Sequence, residues 1–438
     1  MARKESQAAR RVAVIDGCRV PFQRSGTGYY DLMAWEIGRY AVKGLLVRTG
    51  MDPREVDHVM MGCVAIDMAT TNVAREVALG AGLPESVPAH TCTLACVSSN
   101  VAAVNGANMI ATGNAEVVIA GGVETFSDAA IKISRKYRRF ILDMTMYHRP
   151  KNLAETFRRI LKMRPLDFIL PEKPALSEYS TGLLMGQTAE RLAKRLGISR
   201  QEQDAYAVQS HQRAAKAQKN GVMKKEVVPV VVPGKDKPVE YDNGPREDAS
   251  MEKLGKLKGA FDKKYGTVTA ANSSFLTDGG TAVLLMSEEK AEELGLKPKA
   301  YIVSYAYSGQ DLVDELLLGP AFTIPKALDK AGLSLSDIGV FEIHEAFASQ
   351  MIANIKCLAS EKFAREKLGL SKAVGEIDMD KLNIYGGSLS LGHPFGATGG
   401  RLITTCCNRM IDEGARFGVV AGCGAGALGN AIIFENAN

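Results

Sequence analysis

Short apolar runs punctuate the chain, separated by longer stretches with helical spacing of apolar positions. Val-Val-Ile-Ala-Gly-Gly (117–122) and Gly-Val-Val-Ala-Gly-Cys (418–423) read as buried strands ending in small residues. The pattern also repeats itself. Residues Gly38–Gly62 align without gaps on Pro320–His344. Each copy has a helical stretch closed by glycine (Gly50, Gly332), a polar turn, and a strand (Val-Met-Met-Gly; Phe-Glu-Ile-His). Farther on, each half carries a Gly/Ser/Pro-rich turn, a helix, and a strand ending in Ala-Gly. Strands alternating with helices predict mostly parallel sheets covered by helices. The duplication predicts two similar halves packed together. The turns then lie at the carboxyl ends of strands, where such folds place their sites.

Residues from about 128 to 265 break the pattern. They hold several prolines, the polar helical run Ser199–Asn220 and the turn-rich Val-Pro-Gly-Lys-Asp-Lys-Pro (232–238). They read as an insertion covering the site. The expected division is an N-terminal half over 1–127 and 266–290, an inserted loop domain over 128–265, and a C-terminal half over 291–438.

Composition changes this picture in two places. The net charge of +5 is local: Lys132–Arg164 contains eleven Lys/Arg against Asp143 and Glu155. The rest of the chain is slightly acidic, which excludes a general nucleic-acid binder. The basic segment also carries Phe140, Ile141, Leu142, Phe157, Ile160 and Leu161 at roughly helical spacing. That combination fits a solvated loop, a surface drawing in anionic phosphates, or an interfacial segment for anionic lipid or a partner subunit. The last is favoured, because apolar anchors accompany the cations. The longest uncharged stretch, Ser86–Ala115, contains four Asn and is too polar to span lipid. It reads as a buried small-residue helix over about 97–112. Eight cysteines without paired C-x-x-C spacing, behind a short polar N-terminus, predict reduced thiols in a cytoplasmic-type compartment. The mature end of an organelle protein fits as well.

Chemistry gathers at three turns. Cys96 lies in Thr-Leu-Ala-Cys-Val-Ser-Ser-Asn (93–100), His393 in Leu-Gly-His-Pro-Phe-Gly-Ala-Thr-Gly (391–399), and Cys423 in Ala-Gly-Cys-Gly-Ala-Gly (421–426). A thiol nucleophile, an imidazole base and a second thiol form an acyl-transfer set. A helix start after Cys96 is expected to lower its thiol pKa. Gly424–Gly429 matches G-x-G-x-x-G, but the strand-like segment that follows leaves no room for a dinucleotide-binding unit. His344-Glu345-Ala-Phe is not H-E-x-x-H, since position 348 is Ala, so no metal centre is expected.

Together these segments resemble the thiolase family over nearly the whole chain. The Cys96 turn, Gly-Gly-Val-Glu-Thr-Phe-Ser (121–127), Met-Gly-Gln-Thr-Ala-Glu (185–190), Arg-Gln-Glu-Gln-Asp-Ala-Tyr-Ala (200–207), Gly266–Asp278, His344–Phe347, residues 386–399 and the Cys423 turn carry the resemblance. The His-Pro-Phe-Gly-Ala-Thr-Gly form, the basic insertion and His344 are most similar to β subunits of fatty-acid oxidation complexes. The resemblance implies an α/β fold of duplicated halves in a five-layered αβαβα arrangement with an inserted loop domain. It implies cleavage of 3-ketoacyl-CoA by CoA, with no tightly bound cofactor and CoA as co-substrate. Cys96 would be acylated, His393 would take its proton, and Cys423 would protonate the acetyl-CoA enolate. His393 with the His344 motif would form one oxyanion site, and the N–H groups of Cys96 and Ala425 the other. Ser274 and Met185 would line the CoA or acyl channel. A homodimer core and a hydratase/dehydrogenase α subunit are the implied partners.

Two positions depart from the family. Asn is usual at 344, where this chain has His, and Gly is usual at 425, where it has Ala. Function should survive the second change if the backbone there avoids positive φ. Three alternatives stay open. One is a biosynthetic acetyl-CoA acetyltransferase, the same chemistry run as condensation. Another is a ketoacyl synthase, which the Cys423 turn argues against. The third is a catalytically dead scaffold or lipid-binding subunit.

Overall fold

A computed structural model describes residues 10–169, 171–172 and 177–438. The polar segment 1–9 lies outside the described residues. The frame consists of β1 (Val12–Arg19), β2 (His58–Gly62), β3 (Ala89–Cys92), β4 (Val117–Glu124), β5 (Thr277–Ser287), β6 (Ala300–Gly309), β7 (Ile338–Ile343), β8 (Phe417–Gly424) and β9 (Leu428–Asn436). Their order is β7-β8-β9-β6-β1-β5-β4-β2-β3. The duplication is visible in that order. Starting at the centre, β1-β5-β4-β2 mirrors β6-β9-β8-β7. The halves join where β1 meets β6 over two residue pairs, Ala13–Tyr301 and Val14–Ala300.

The expectation of mostly parallel pairing needs correction. β2 pairs parallel with β3 and β4, and β7 with β8. The β1–β5, β4–β5, β8–β9 and β6–β9 pairs are antiparallel. The cause lies in the connections. β8 and β9 are joined by a tight turn between Gly424 and Leu428, which reverses the chain. That hairpin also disposes of the dinucleotide reading, which needs a helix there. β5 enters the sheet after the insertion and runs back against β4.

The helices are α1 (Ala34–Thr49), α2 (Val73–Ala81), α3 (Ser98–Ala111), α4 (Arg135–Thr145), α5 (Leu153–Leu161), α6 (Met185–Arg195), α7 (Arg200–Lys219), α8 (Gly319–Ala331), α9 (Ala348–Leu358) and α10 (Thr398–Glu413). The gapless repeat is faithful to the residue. α1 and α8 both end at a glycine with φ near 66°, Gly50 and Gly332. Single 3-10 turns follow at matching positions, Pro53–Glu55 and Leu335–Asp337.

Strand alternation sorts side chains into separate cores. Val59, Met61 and Ile119 pack outward under α1 and α2. Their neighbours Met60, Val118 and Ala120 face inward with Val340, Val420 and Ile432. Between these inward faces lie α3 (Ala102, Ala103, Ile110) and α10 (Leu402, Ile403, Cys406, Met410). Phe341 and Ile343 pack outward under α8 and α9. The sequence of layers is therefore helix, sheet, helix, sheet, helix. Both faces of each sheet are covered, which is why the strands read as continuous apolar runs.

The insertion has two characters. α6 and α7 join the outer C-terminal core through Ala189, Leu192, Tyr206 and Ala207. α7 is opened by Ser199, whose hydroxyl accepts the Glu202 N–H while Glu202 returns to the Ser199 N–H. By contrast, α4 and α5 bury no residue. No helix among the described residues is long and apolar enough to cross a membrane.

Candidate active site

Each of the three turns follows a strand or precedes a central helix, as the pattern required. The Cys96 turn is wound tightly. Ala95 has φ 47°, rare for a residue with a side chain. Ser98 holds the turn in place: its hydroxyl accepts the Leu94 N–H at 2.8 Å and donates to the Ala95 carbonyl at 2.7 Å. α3 starts at Ser98, two residues after the cysteine.

His393 sits between β5 and α10. Its N–H donates to the Thr277 hydroxyl at 2.9 Å, and its Nδ1 lies 2.6 Å from the Thr398 hydroxyl. Thr398 itself donates to the Pro394 carbonyl at 3.1 Å. A hydroxyl has one proton, so Thr398 receives the Nδ1–H and the lone pair of His393 is on Nε2. The next turn is held by Glu124 at the end of β4. Its carboxylate accepts N–H groups from Val64, Ala65 and Gly396. Gly396 must be glycine: a Cβ there would lie 2.5 Å from the Gly62 carbonyl oxygen.

His344 follows β7, its Nδ1 2.9 Å from the Ser388 hydroxyl. Its ring lies 4.0 Å, centroid to centroid, from that of His393. The Nε2 atoms of both rings are buried without a hydrogen-bond partner. The Cys96 sulfur and one ring nitrogen of each histidine lie within 4.8 Å of one another. Among the described residues, this is the one cluster of such donors that could hold a metal ion. The backbone N–H groups of Ala425 and of Cys96 itself favour the Cys96 thiolate. Ala425 is not among the residues with positive φ, so its side chain introduces no strain there. Cys423 is buried and close enough for its charge to interact with that of Cys96.

The electrostatics correct one expectation. The Cys96 thiol is pushed up to about 12, chiefly by burial, although the two backbone N–H groups pull it down. Burial of the surroundings outweighs the turn's favourable dipoles. Cys423 is raised further, by burial and by Cys96. Burial lowers His344 to about 3, with the Arg401 guanidinium contributing. His393 falls well below its ordinary value through burial, then His344 and Arg401. At rest the site holds neutral thiols and neutral imidazoles. Arg401 lies beneath it, in a buried triad with Glu342 and Arg409.

Two remaining candidates sit outside this cluster. Ser274 is half-buried and donates its N–H to the Ala346 carbonyl, two residues from His344. Met185 opens α6 and packs partly buried against the C-terminal core. Beside Ser274 is a cavity of about 310 Å³ whose lining includes Arg24, His211, Arg246, Ser273, Phe275 and the ion pair Lys253–Asp248. The Arg24 guanidinium stacks 3.8 Å from the Phe275 ring centroid. Burial lowers the Arg24 pKa, and Arg246 lowers it further. His211 is lowered to about 4 by burial, then by Arg246 and Arg24. With Asp248 paired to Lys253, the Arg24 and Arg246 guanidiniums leave the lining net positive, which suits an anionic guest.

Several supporting residues had no role that the sequence assigned. Glu345, buried beside His344, accepts from Tyr206 and Ser210 of α7 and from Asn383. Glu178 of the insertion accepts the Gly426 N–H at 2.7 Å, holding the Cys423 turn. Their acidic side chains look like any surface carboxylate until the fold is known.

Comparison with known proteins gives concordant matches. Residues 12–289 match the thiolase N-terminal domain and residues 296–436 the thiolase C-terminal domain. The mitochondrial trifunctional enzyme subunit beta of Bos taurus is 51% identical, over 97% of this chain and 88% of that protein. A 3-ketoacyl-CoA thiolase of Yersinia enterocolitica is 44% identical over 97% of both chains. Among solved structures, human mitochondrial 3-ketoacyl-CoA thiolase superposes with TM-score 0.81 at 32% identity, covering 98% of this chain and 99% of that one. The acetyl-CoA acetyltransferase of Bacillus anthracis gives 0.83 at 32% identity, covering 98% and 100%.

Proposed function

The chain belongs to the thiolase family, and on that premise we propose how its site divides the work of thiolysis. The reaction is cleavage of a 3-ketoacyl-CoA by CoA, giving acetyl-CoA and a shortened acyl-CoA. Cys96 is the nucleophile. Its proton moves to Nε2 of His393 as the sulfur attacks the 3-keto carbon, so no resting ion pair is needed. The carbon–carbon bond then breaks, and the acetyl-CoA enolate takes a proton from the Cys423 thiol. CoA attacks the acyl-Cys96 thioester as the Cys423 thiolate accepts the CoA thiol proton; the bond from the acyl carbon to Cys96 breaks, acyl-CoA leaves, and the Cys96 thiolate takes its proton back from Nε2 of His393. The N–H groups of Cys96 and Ala425 serve the oxyanion on the acyl carbon. His344 and His393 serve the enolate oxygen.

One observation carries this reading: Cys96, both histidines and the Ala425 N–H converge on one point, with Cys423 alongside. The cavity lined by Arg24, Arg246 and Lys253 takes the phosphates of CoA, with Ser274 and Met185 on the way to the thiol. No tightly bound cofactor has a part. The units of function are the two halves, 1–127 with 266–290 and 291–438, and the covering insertion 128–265. The test is mass-spectrometric trapping of an acyl group on Cys96 during turnover of 3-ketoacyl-CoA. Labelling elsewhere, or none, would overturn the assignment.

The relatives named trifunctional enzyme subunit beta support association with a hydratase/dehydrogenase α subunit, around a homodimer core. The α4–α5 segment offers an interfacial surface. Leu153, Phe157 and Leu161 recur every fourth residue and are all more than 60% exposed. With the cations of residues 132–164 they suit an anionic membrane or a partner subunit. All eight cysteines are unpaired, which fits a reducing compartment, whether cytoplasm or the mitochondria of the animal relatives. Condensation of two acetyl-CoA uses the same groups in reverse. Thiolysis rates across chain lengths separate the two.

A further inference from the structure

We propose that Cys96, His344 and His393 form a binding site for a thiophilic divalent cation, with Zn2+ as its natural probe, and that occupancy reversibly blocks the enzyme. The binding rests on donor geometry alone. Only the block of turnover rests on the role given to Cys96 above.

A thiolate and two imidazoles are the ligand types zinc selects. Their donor atoms already lie within 4.8 Å of one another. Around a tetrahedral zinc, sulfur and nitrogen ligands stand about 3.3–3.6 Å apart, given bond lengths near 2.0–2.3 Å. Closing the gap takes about an ångström of side-chain movement, and Cys96 is the member that keeps some exposure.

The histidines are prepared for the purpose. A metal-binding imidazole usually donates its second N–H to a fixed neighbour, which sets its tautomer and direction. Here Thr398 holds Nδ1 of His393 at 2.6 Å, and Ser388 lies 2.9 Å from Nδ1 of His344, where its hydroxyl can accept from the metal-binding tautomer or donate to the tautomer that serves the enolate oxygen. Both Nε2 atoms are left buried and without a partner.

Binding follows a simple balance. The Cys96 S–H bond breaks, an S–Zn bond forms, and one proton leaves to solvent. The complex carries one net positive charge. Glu124, whose charge bears on Cys96, favours it, and Arg401, which bears on both histidines, opposes it. Arg401 is itself paired with Glu342. Solvent takes the fourth position. Because binding displaces a proton, affinity rises with pH.

The test uses the full-length protein with Zn2+, and with Co2+ as a coloured surrogate. Calorimetry should find one Zn2+ bound at this site per chain. Bound Co2+ should show a thiolate-to-metal charge-transfer band. Alkylating Cys96 of the wild-type protein with iodoacetamide should abolish both signals without any mutation. His344→Asn should weaken binding more than the roughly 10–100-fold that loss of an outer-shell partner costs. Zn2+ should stop thiolysis in the same concentration range, and chelation should restore it. A cobalt spectrum without the thiolate band, or equal zinc affinity after alkylation or in a folded His344→Asn protein, would overturn the proposal. If zinc binds with all these signatures but the metal-free enzyme never cleaves 3-ketoacyl-CoA, the site stands and the functional reading fails.

Discussion

The Thr398 hydroxyl lies 2.6 Å from Nδ1 of His393 and 3.1 Å from the Pro394 carbonyl, so one side chain sets both the tautomer and the angle of the imidazole proposed as base. Thr398→Val removes that hydroxyl and little volume. General-base catalysis contributes about 10²–10⁴-fold, and a wandering imidazole forfeits part of it. Steady-state kinetics should show kcat down by about tenfold or more with KM for CoA nearly unchanged, and Thr398→Ser should rescue. Wild-type kcat in Thr398→Val would remove the residue from this role.

The two thiols should separate by experiment. Cys96→Ser should form no acyl-enzyme by intact mass, since a hydroxyl is far harder to deprotonate than a thiol. Cys423→Ala should lose carbon–carbon cleavage yet still be acylated at Cys96 by a simple thioester. An unreactive Cys96 in Cys423→Ala would show that the roles are not divided this way.

Proton linkage has a definite sign. His344 (about 3) and His211 (about 4) have folded pKa values below the unfolded value near 6.5, and burial holds His393 well below it too. Below about pH 6.5 the unfolded chain binds protons that the folded chain refuses. Each such group then costs up to about 1.4 kcal/mol of stability per pH unit on the way down to its folded pKa. Glu124, raised to about 7 mainly by burial, works the other way: its stabilisation is full below about 4.5 and is lost as pH rises through 7. The histidines outnumber it, so melting temperature should fall from pH 6.5 to 5, and less steeply in His344→Asn. An equal slope in both proteins would contradict the buried neutral His344.

Removing a cation from the cavity should act on binding. Arg24→Ala also loses the stack on Phe275. KM for CoA should rise several-fold with kcat largely kept, and the effect should shrink at high salt. A change in kcat alone would argue against phosphate contact.

Charge reversal of Arg138, Arg139, Arg158 and Lys162 should weaken liposome flotation or co-purification with an α subunit. These residues lie on α4, α5 and the turn after α5, where nothing is buried. Thiolysis of short soluble substrates should survive. Unchanged association in both assays would leave the segment a solvated loop.

What could be read from the sequence follows from how local each signal is. The gapless repeat gave two matching helix–turn–strand units because glycine caps and apolar periodicity are local. The Cys96, His393 and Cys423 turns were legible as glycine-rich punctuation around rare residues. Strand direction was not, because the antiparallel entry of β5 is set by the insertion before it. The thiol pKa was misjudged because a turn's dipole is visible in sequence and the protein packed around it is not. Glu124, Glu345 and Glu178 stayed hidden, since their partners lie 59 or more residues away, except for Leu389 at 44 and Asn383 at 38.

Glu345 ties α7 of the insertion to the segment that carries His344 and Ser388. This divides the insertion into a part that can be exchanged and a part that cannot. α4 and α5 form a detachable module: a lineage could lengthen, recharge or replace them to suit a new surface while the chemistry stayed intact. α7 has no such freedom. Any redesign of it that loses Tyr206 or Ser210 leaves a buried carboxylate short of donors beside His344, so surface change is free to evolve in one half of the insertion and is constrained in the other.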